Sequence, residues 1–217
     1  MRLSTGPRQA KLLAIDPSRP DWASVRQAAS HIMRGEVIAA PTDTLYGVLG
    51  DPFDHRAVER IFAAKRRPET KPLLLIVDGL AQLNRLVRQL PPTFDRLAQR
   101  FWPGPLTIVL PASDAVPAAV TAGTGTIAVR WPQAPLAGAL VRAAGRPLTA
   151  TSANRSGLKP GLDAREVQRQ LGRDLALIVD GGRVRSLRPS TIVDLTGAPK
   201  IVREGAIARE EVLRRLT

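Results

Sequence analysis

The chain contains 217 residues, of which 44% are hydrophobic, and it carries a formal net charge of +13. It has no cysteine and only two histidines, which excludes disulfides, thiolate metal sites and cysteine nucleophiles and argues against a histidine metal cluster. The positive charge predicts anionic partners such as nucleotides, phosphates or RNA, with a solvated basic surface as the alternative.

The sequence has no linker-like change in composition, so we predict one α/β domain. We expect residues 1–20 to be a loosely ordered N-terminal segment, apart from an edge strand at residues 12–15, and residues 21–217 to form the domain. No apolar run reaches the roughly 18 residues that span a bilayer, and the N-terminus lacks the hydrophobic core of a signal peptide. We therefore expect a cytoplasmic protein without membrane contact.

Hydrophobic periodicity and turn signals predict alternating helices and strands. The predicted helices cover residues 22–34, 57–64, 80–90, 93–101, 135–144, 163–171 and 208–216. The predicted strands cover residues 36–40, 73–77, 106–110, 126–130, 147–151, 175–179, 191–195 and 200–203. Because the alternation keeps no strict βαβ period, we predict a mixed twisted open sheet with helices on both faces.

Two polar loops follow predicted strands, which is where such sheets bind ligands. The first runs from Pro41 to Gly47 and contains two threonines, an aspartate and the only tyrosine. Since Pro41 lacks a backbone donor and Gly47 permits positive φ, we expect the strand at residues 36–40 to end before this loop. A capped turn with a half-buried tyrosine is the structural alternative. The second loop, residues 151–157, carries hydroxyl and amide side chains.

A basic cluster lies between the helix predicted at residues 57–64 and the following strand. Pro68 ends the helix near Arg67, so Lys65 and Arg67 leave from its last turn or from the loop beyond. Basic residues complement a helix C-terminus, which explains one or two of them. Capping does not explain Lys71, which lies at the start of the next strand.

Five motifs occur in a fixed order. They are Pro-Thr-Asp-Thr-x-Tyr-Gly at 41–47, Lys-x-Arg at 65–67 followed by Lys-Pro-Leu at 71–73, Phe-Trp-Pro-Gly-Pro-Leu-Thr at 101–107, Ser-Ala-Asn-x-Ser-Gly at 152–157, and Ser-Thr-Ile-Val-Asp at 190–194 followed by Arg-x-Gly at 203–205. Over about residues 20 to 210 the chain thereby resembles the short, single-domain YrdC-type threonylcarbamoyl-AMP synthases. The resemblance implies a YrdC-like domain that condenses L-threonine, bicarbonate and ATP into threonylcarbamoyl-AMP and pyrophosphate, for threonylcarbamoyladenosine modification of tRNA.

The resemblance also implies roles for individual residues. Those implied for the reacting phosphate and carbamate are Lys65, Arg67, Ser152 and Asn154. Those implied for ATP, which Mg²⁺ accompanies, are Arg67, Lys71, Thr126, Ser152 and Arg203. Those implied for threonine are Thr44, Arg130 and Ser190, with the Arg130 guanidinium pairing with the substrate carboxylate. No protein ligand set for a metal is implied.

Each position has a structural alternative: Ser190 as a strand-start cap, Arg130 as a surface residue, and Asn154 as a residue that tolerates a left-handed turn. The chain also departs from many relatives at two positions, with Ile76 in place of a histidine and Pro189 in place of an acidic residue.

A different functional class is an RNA-binding module for tRNA or double-stranded RNA, which the charge motivates. The expected partner of a synthase is a tRNA threonylcarbamoyl-transferase, and the basic surface is the expected tRNA contact.

Overall fold

The computed structural model describes residues 9–216, within which the chain forms eight helices and eleven strands. The helices are α1 (Trp22–Met33), α2 (His55–Lys65), α3 (Leu80–Leu86), α4 (Thr93–Phe101), α5 (Ala118–Thr121), α6 (Pro135–Ala144), α7 (Ala164–Leu171) and α8 (Arg209–Leu216). The strands are β1 (Lys11–Ala14), β2 (Ile38–Pro41), β3 (Tyr46–Leu49), β4 (Leu74–Ile76), β5 (Leu106–Pro111), β6 (Thr126–Arg130), β7 (Leu148–Thr149), β8 (Thr151–Ser152), β9 (Leu177–Asp180), β10 (Thr191–Asp194) and β11 (Lys200–Arg203).

The strands form two mixed sheets. One has the order β1-β9-β2-β3-β8, and the other has the order β11-β10-β5-β6-β4-β7. The chain passes from the second sheet to the first through Ala150, whose backbone N–H donates to the Leu74 carbonyl over 2.9 Å. The predicted mixed α/β class is confirmed, with the strands divided between two sheets.

Helix α1 shows how local sequence signals fix an element. The Asp21 carboxylate accepts a hydrogen bond from the Ser24 backbone N–H over 2.8 Å, which satisfies a free donor of the first turn. Four apolar residues at helical spacing are buried: Val25, Ala28, Ala29 and Ile32. Val25, Ala28 and Ile32 belong to a core cluster shared with α6 and with the five-stranded sheet.

Several predicted elements match the structure at both ends. These are the segments at 93–101, 126–130, 135–144 and 200–203. The predicted edge strand is present as β1, which pairs in parallel with β9 at the margin of its sheet. Residues 1–8 lie outside the described range, so the proposed order of the N-terminal segment stays a prediction.

The first polar loop is shorter than predicted. Pro41 is the last residue of β2 and Tyr46 is the first of β3, and the two strands pair antiparallel as a hairpin. Proline is tolerated at Pro41 because it lies at the strand end. Across the turn, the Thr42 backbone N–H donates to the Leu45 carbonyl over 3.1 Å. In residues 9–216, no helix has the length and apolar character to cross a membrane.

Candidate active site

A cleft of about 900 Å³ is lined by residues of both sheets. Strands β4, β5, β6, β10 and β11 line it from the six-stranded sheet. The β2–β3 turn and β8 line it from the five-stranded sheet. Both polar loops that the sequence singles out therefore reach the same cavity.

Strand register arranges the residues on the six-stranded sheet in rows. Ile76 lies beside Arg130, and Ile192 lies between Thr107 and Arg203. The β5–β6 pair brings Thr107 opposite Arg130, one step beyond the Ile108–Val129 pair.

A second row lies two residues along the strands, roughly 7 Å away, and its cleft-lining members are apolar. They are Leu74, Ala128 and Val109. The sheet therefore offers a row with two arginines next to an apolar strip.

Arg130 is held rigidly at the end of β6 and is only 5% exposed. Its Nε donates to the Gly104 carbonyl over 3.0 Å, its Nη1 donates to Thr44 Oγ1 over 2.8 Å, and its Nη2 donates to the Asp43 carboxylate. Burial lowers the pKa of Arg130, although Asp43 favours the charged form. Arg130 is therefore not a surface residue, and two of its five N–H groups remain for a ligand.

Ser190 links Thr107 on β5 to Arg203 on β11. Its Oγ lies 2.7 Å from Thr107 Oγ1 in a buried hydrogen bond. Its carbonyl accepts from Arg203 Nε over 3.2 Å and from Arg203 Nη2 over 2.8 Å. Ser190 and Arg203 both line the cleft, and burial lowers the pKa of Arg203.

Lys65 and Asn154 lie behind the cleft-lining residues. The Lys65 ammonium is 2% exposed and donates to the Ser152 carbonyl and, over 2.8 Å, to the Asn154 carbonyl. Burial, with a smaller contribution from Arg67, lowers the pKa of Lys65 to about 8. Ser152 itself lines the cleft, so Lys65 positions the loop that carries it.

Asn154 shapes the same loop through its side chain. Its Nδ2 donates to the carbonyls of Arg155, over 2.9 Å, and Leu158, over 2.7 Å. Its buried Oδ1 has no hydrogen-bond partner within the described part of the chain. Positive φ does not occur at Asn154, so the alternative of a left-handed turn is wrong.

The described residues that line the cleft include five cations and no carboxylate. The cations are Arg67, Lys71, Arg130, Lys159 and Arg203. Arg67 Nη2 donates to the Pro72 carbonyl over 2.8 Å, and burial lowers the pKa of its guanidinium. A cavity with this charge suits a polyanionic ligand.

Of the residues implied for ATP, Thr126 is the one that does not line the cleft. It lies on β6 four residues before Arg130, roughly 13 Å along the strand. Its Oγ1 lies 2.9 Å from Thr124 Oγ1. The motifs assign no role to Lys159, which follows the Ser-Ala-Asn-x-Ser-Gly motif by two residues, and they include Asp43 only as a residue of the first polar loop.

Tyr46 attaches β3 to the turn that precedes the segment 183–190. Its hydroxyl donates to the Gly182 carbonyl over 2.7 Å and accepts from the Gly181 backbone N–H over 3.3 Å. Burial raises the pKa of Tyr46 to about 12, so the phenol stays neutral as a donor. The segment beyond the turn contributes Leu187, Pro189 and Ser190 to the cleft.

We predict that Tyr46→Phe lowers the free energy of unfolding by about 1 kcal/mol, because one buried side-chain hydrogen bond is lost while the ring packing is kept. Urea denaturation at neutral pH measures this difference. An unchanged midpoint and slope contradict a stabilising role for the hydroxyl.

Two mixed sheets that meet at a cationic cleft define an α/β domain whose cavity suits an anionic ligand. The chain belongs to the Sua5/YciO/YrdC family, whose model carries the description "Telomere recombination" and matches residues 30–205. The predicted family resemblance is thereby confirmed.

Similar curated proteins have consistent names. A threonylcarbamoyl-AMP synthase of Pyrococcus abyssi is 40% identical over 193 residues, which cover 88% of this chain and 56% of the relative. A putative threonylcarbamoyl-AMP synthase of Mycobacterium tuberculosis is 36% identical, covering 91% of this chain and 92% of the relative. The chain thus spans just over half of the P. abyssi relative and nearly all of the M. tuberculosis relative.

Solved structures share the fold. P. abyssi Sua5 in complex with L-threonine has a TM-score of 0.91 and 38% identity, covering 94% of this chain and 60% of that one. Escherichia coli YciO has a TM-score of 0.86 and 29% identity, covering 94% of this chain and 99% of that one.

Proposed function

We propose that this protein is a threonylcarbamoyl-AMP synthase, a nucleotidyltransferase that uses L-threonine, bicarbonate and ATP. The observation that carries the proposal is the cleft with five cations and, among its described lining residues, no carboxylate. Both the amino acid and the nucleotide bring negative charge to such a cavity. The names of the relatives and the threonine bound to P. abyssi Sua5 support the same reaction.

The chemistry needs charge stabilisation more than a strong base. The threonine amine attacks bicarbonate, and a carbamate forms with loss of water. A carbamate oxygen then attacks the α-phosphorus of ATP, and the bond from that phosphorus to the bridging oxygen breaks. Its electron pair leaves with pyrophosphate. Fixed cations and oriented donors stabilise the charge that develops in such a transfer.

The threonine carboxylate is assigned to Arg130, the last residue of β6. Arg130 has two free N–H groups there, and Thr44 and Ser190 line the same cleft. A guanidinium pairs well with a carboxylate, and burial strengthens the interaction.

The remaining cations are assigned to the nucleotide. Arg67 and Ser152 face the reacting phosphate, and Lys71 and Arg203 hold the rest of ATP. Lys65 and Asn154 act by positioning the loop of Ser152. Thr126 is retained for the part of ATP furthest from threonine, because it lies roughly 13 Å from Arg130 along β6.

The donor set does not suit a resident Mg²⁺ ion. Residues 9–216 contain no group of three or more His, Cys, Asp or Glu side chains that could hold a metal. Magnesium binds oxygen ligands, most often one or two carboxylates together with substrate phosphates. We therefore assign Mg²⁺ to the substrate, as the ion that ATP carries on its phosphates.

The product requires a partner that transfers the threonylcarbamoyl group to adenosine in tRNA. We propose a tRNA threonylcarbamoyl-transferase in that role, with the basic surface as the tRNA contact and the cytoplasm as the location. An RNA-binding module without synthase activity is the less favoured function. Cations that lie inside a cleft suit a small anionic ligand better than they suit the broad surface of an RNA helix.

Threonine-dependent release of pyrophosphate tests the proposal. With ATP, bicarbonate and Mg²⁺ present, we expect release that requires threonine and is much weaker with serine or alanine. Arg67→Met should abolish release, whereas Arg26→Met, a change on the exposed face of α1, should not. Equal release with all three amino acids, or none, contradicts the proposal. Loss of turnover with unchanged tRNA binding in Arg67→Met separates the enzyme from the RNA-binding module.

A further inference from the structure

Lys159 is a cleft-lining cation that lies outside the five sequence motifs. It belongs to the loop that follows Ser152, and its side chain is exposed. The structure thus adds a charge to the cavity for which the motifs provide no role.

The cations of the cleft differ in how far they are already engaged. Arg130 donates to three groups and Arg203 donates to Ser190, while Arg67 donates to the carbonyls of residues 71 and 72. The ammonium groups of Lys71 and Lys159 make neither a hydrogen bond nor an ion pair with any other residue in the range 9–216. Both are therefore free to bind a ligand.

The backbone that carries Lys159 is held in place. Gln170 Nε2 donates to the Lys159 carbonyl over 3.0 Å, and Asn154 Nδ2 donates to the preceding Leu158 carbonyl over 2.7 Å. Pro160 has a fixed φ and restricts the backbone of Lys159, the residue before it. A charge on a fixed backbone loses less entropy on binding than one on a mobile loop.

The two free lysines lie on loops that both contact the C-terminal end of α2. The Ser156 backbone N–H donates to the Lys65 carbonyl over 2.8 Å, and Arg67 Nε donates to the Lys71 carbonyl over 3.4 Å. Lys71 precedes β4, whereas the far end of β4 lies beside Arg130. Lys71 therefore lies at the end of β4 that is away from Arg130.

We propose that Lys159, together with Lys71 and Arg67, binds the β- and γ-phosphates of ATP and then the pyrophosphate product. The inference rests on the proposed function and names a residue that holds the leaving group. When the bond at the α-phosphorus breaks, the electron pair moves onto pyrophosphate, and three positive charges oppose that negative charge. An unengaged ammonium meets this need without breaking an existing bond in the protein.

Binding of inorganic pyrophosphate, measured by titration calorimetry, tests this role without any turnover. We expect Lys159→Gln to weaken binding about tenfold, as the loss of one charge-assisted hydrogen bond does. Lys159→Arg should retain affinity within about threefold because the charge remains. Lys11→Gln removes the same charge from the exposed edge strand β1 and should have no effect.

Three results overturn the inference: no pyrophosphate binding by the wild type, equal affinity of Lys159→Gln and the wild type, or equal weakening by Lys11→Gln. In steady-state kinetics, Lys159→Gln should raise the KM for ATP about tenfold and leave the KM for threonine unchanged. If pyrophosphate binding depends on Lys159 but release requires no threonine, the proposed function fails while this inference stands.

Discussion

Replacing Arg130 with methionine is expected to abolish threonine binding and to lower the free energy of unfolding by about 3 to 5 kcal/mol. The guanidinium is buried and donates to Thr44, Gly104 and the Asp43 carboxylate. Its removal leaves the Asp43 carboxylate, only 13% exposed, without its cationic partner. Breaking a buried pair by removing one member costs more than the pair itself contributes, because one charge stays desolvated.

A double variant separates the two effects of this substitution. Asp43→Asn combined with Arg130→Met removes the unpaired charge, so urea denaturation should show much of the stability restored. Titration calorimetry with L-threonine should still detect no binding, because the carboxylate has lost its guanidinium. Threonine binding by the double variant at wild-type affinity would remove Arg130 from the substrate site.

Replacing Lys65 with methionine is expected to reduce kcat/KM for ATP by at least about a hundredfold, as for other losses of precise positioning at reacting groups. Lys65 donates to two backbone carbonyls of the loop that presents Ser152 to the cleft. Methionine fills a similar volume but offers no donor, so the loop loses both anchors. The matched control is Lys11→Met, which changes an exposed lysine on β1.

The pH dependence of stability provides an independent test of Lys65. Burial lowers the pKa of Lys65 from 10.5 to about 8, so the folded protein releases this proton at lower pH than the unfolded chain. Between those two values the unfolded chain binds more protons, and stability rises with pH. Relative to Lys65→Met, the wild type should gain about 2 kcal/mol between about pH 7.5 and about pH 9.5.

Urea denaturation of both proteins at the two pH values measures this gain. The comparison with Lys65→Met cancels the titration of other groups, including Tyr46. A constant difference between the proteins would show that Lys65 keeps an ordinary pKa and is not desolvated.

The predictability of the fold varied with the strength of local signals. Helix α6 begins at Pro135 and ends before Gly145, which has φ +67°, and both signals are visible in the sequence. Strand β3 went unpredicted because its first residues, Tyr46 and Gly47, belong to a motif that resembles a loop. The division into two sheets depends on which strands pair, and strand partners are set by tertiary contacts.

In the candidate site, the sequence identified residues but did not reveal the direction of their side chains. Motifs identified Thr44, Arg67 and Ser152, and all three line the cleft. They did not show that the Lys65 side chain turns into the protein to reach backbone carbonyls, because side-chain direction depends on the packed loop around residue 154. Lys159 escaped detection since no motif includes it.

The passage of the chain through Ala150 has a consequence for how ligands enter and leave. One residue separates β7 from β8, and its N–H is bonded to the β4 backbone, so the two sheets are joined at this point by covalent bonds and by a hydrogen bond. The sheets cannot separate there without breaking that bond. A relative movement of the two sheets that keeps this bond intact would therefore leave the cavity closed next to Ala150.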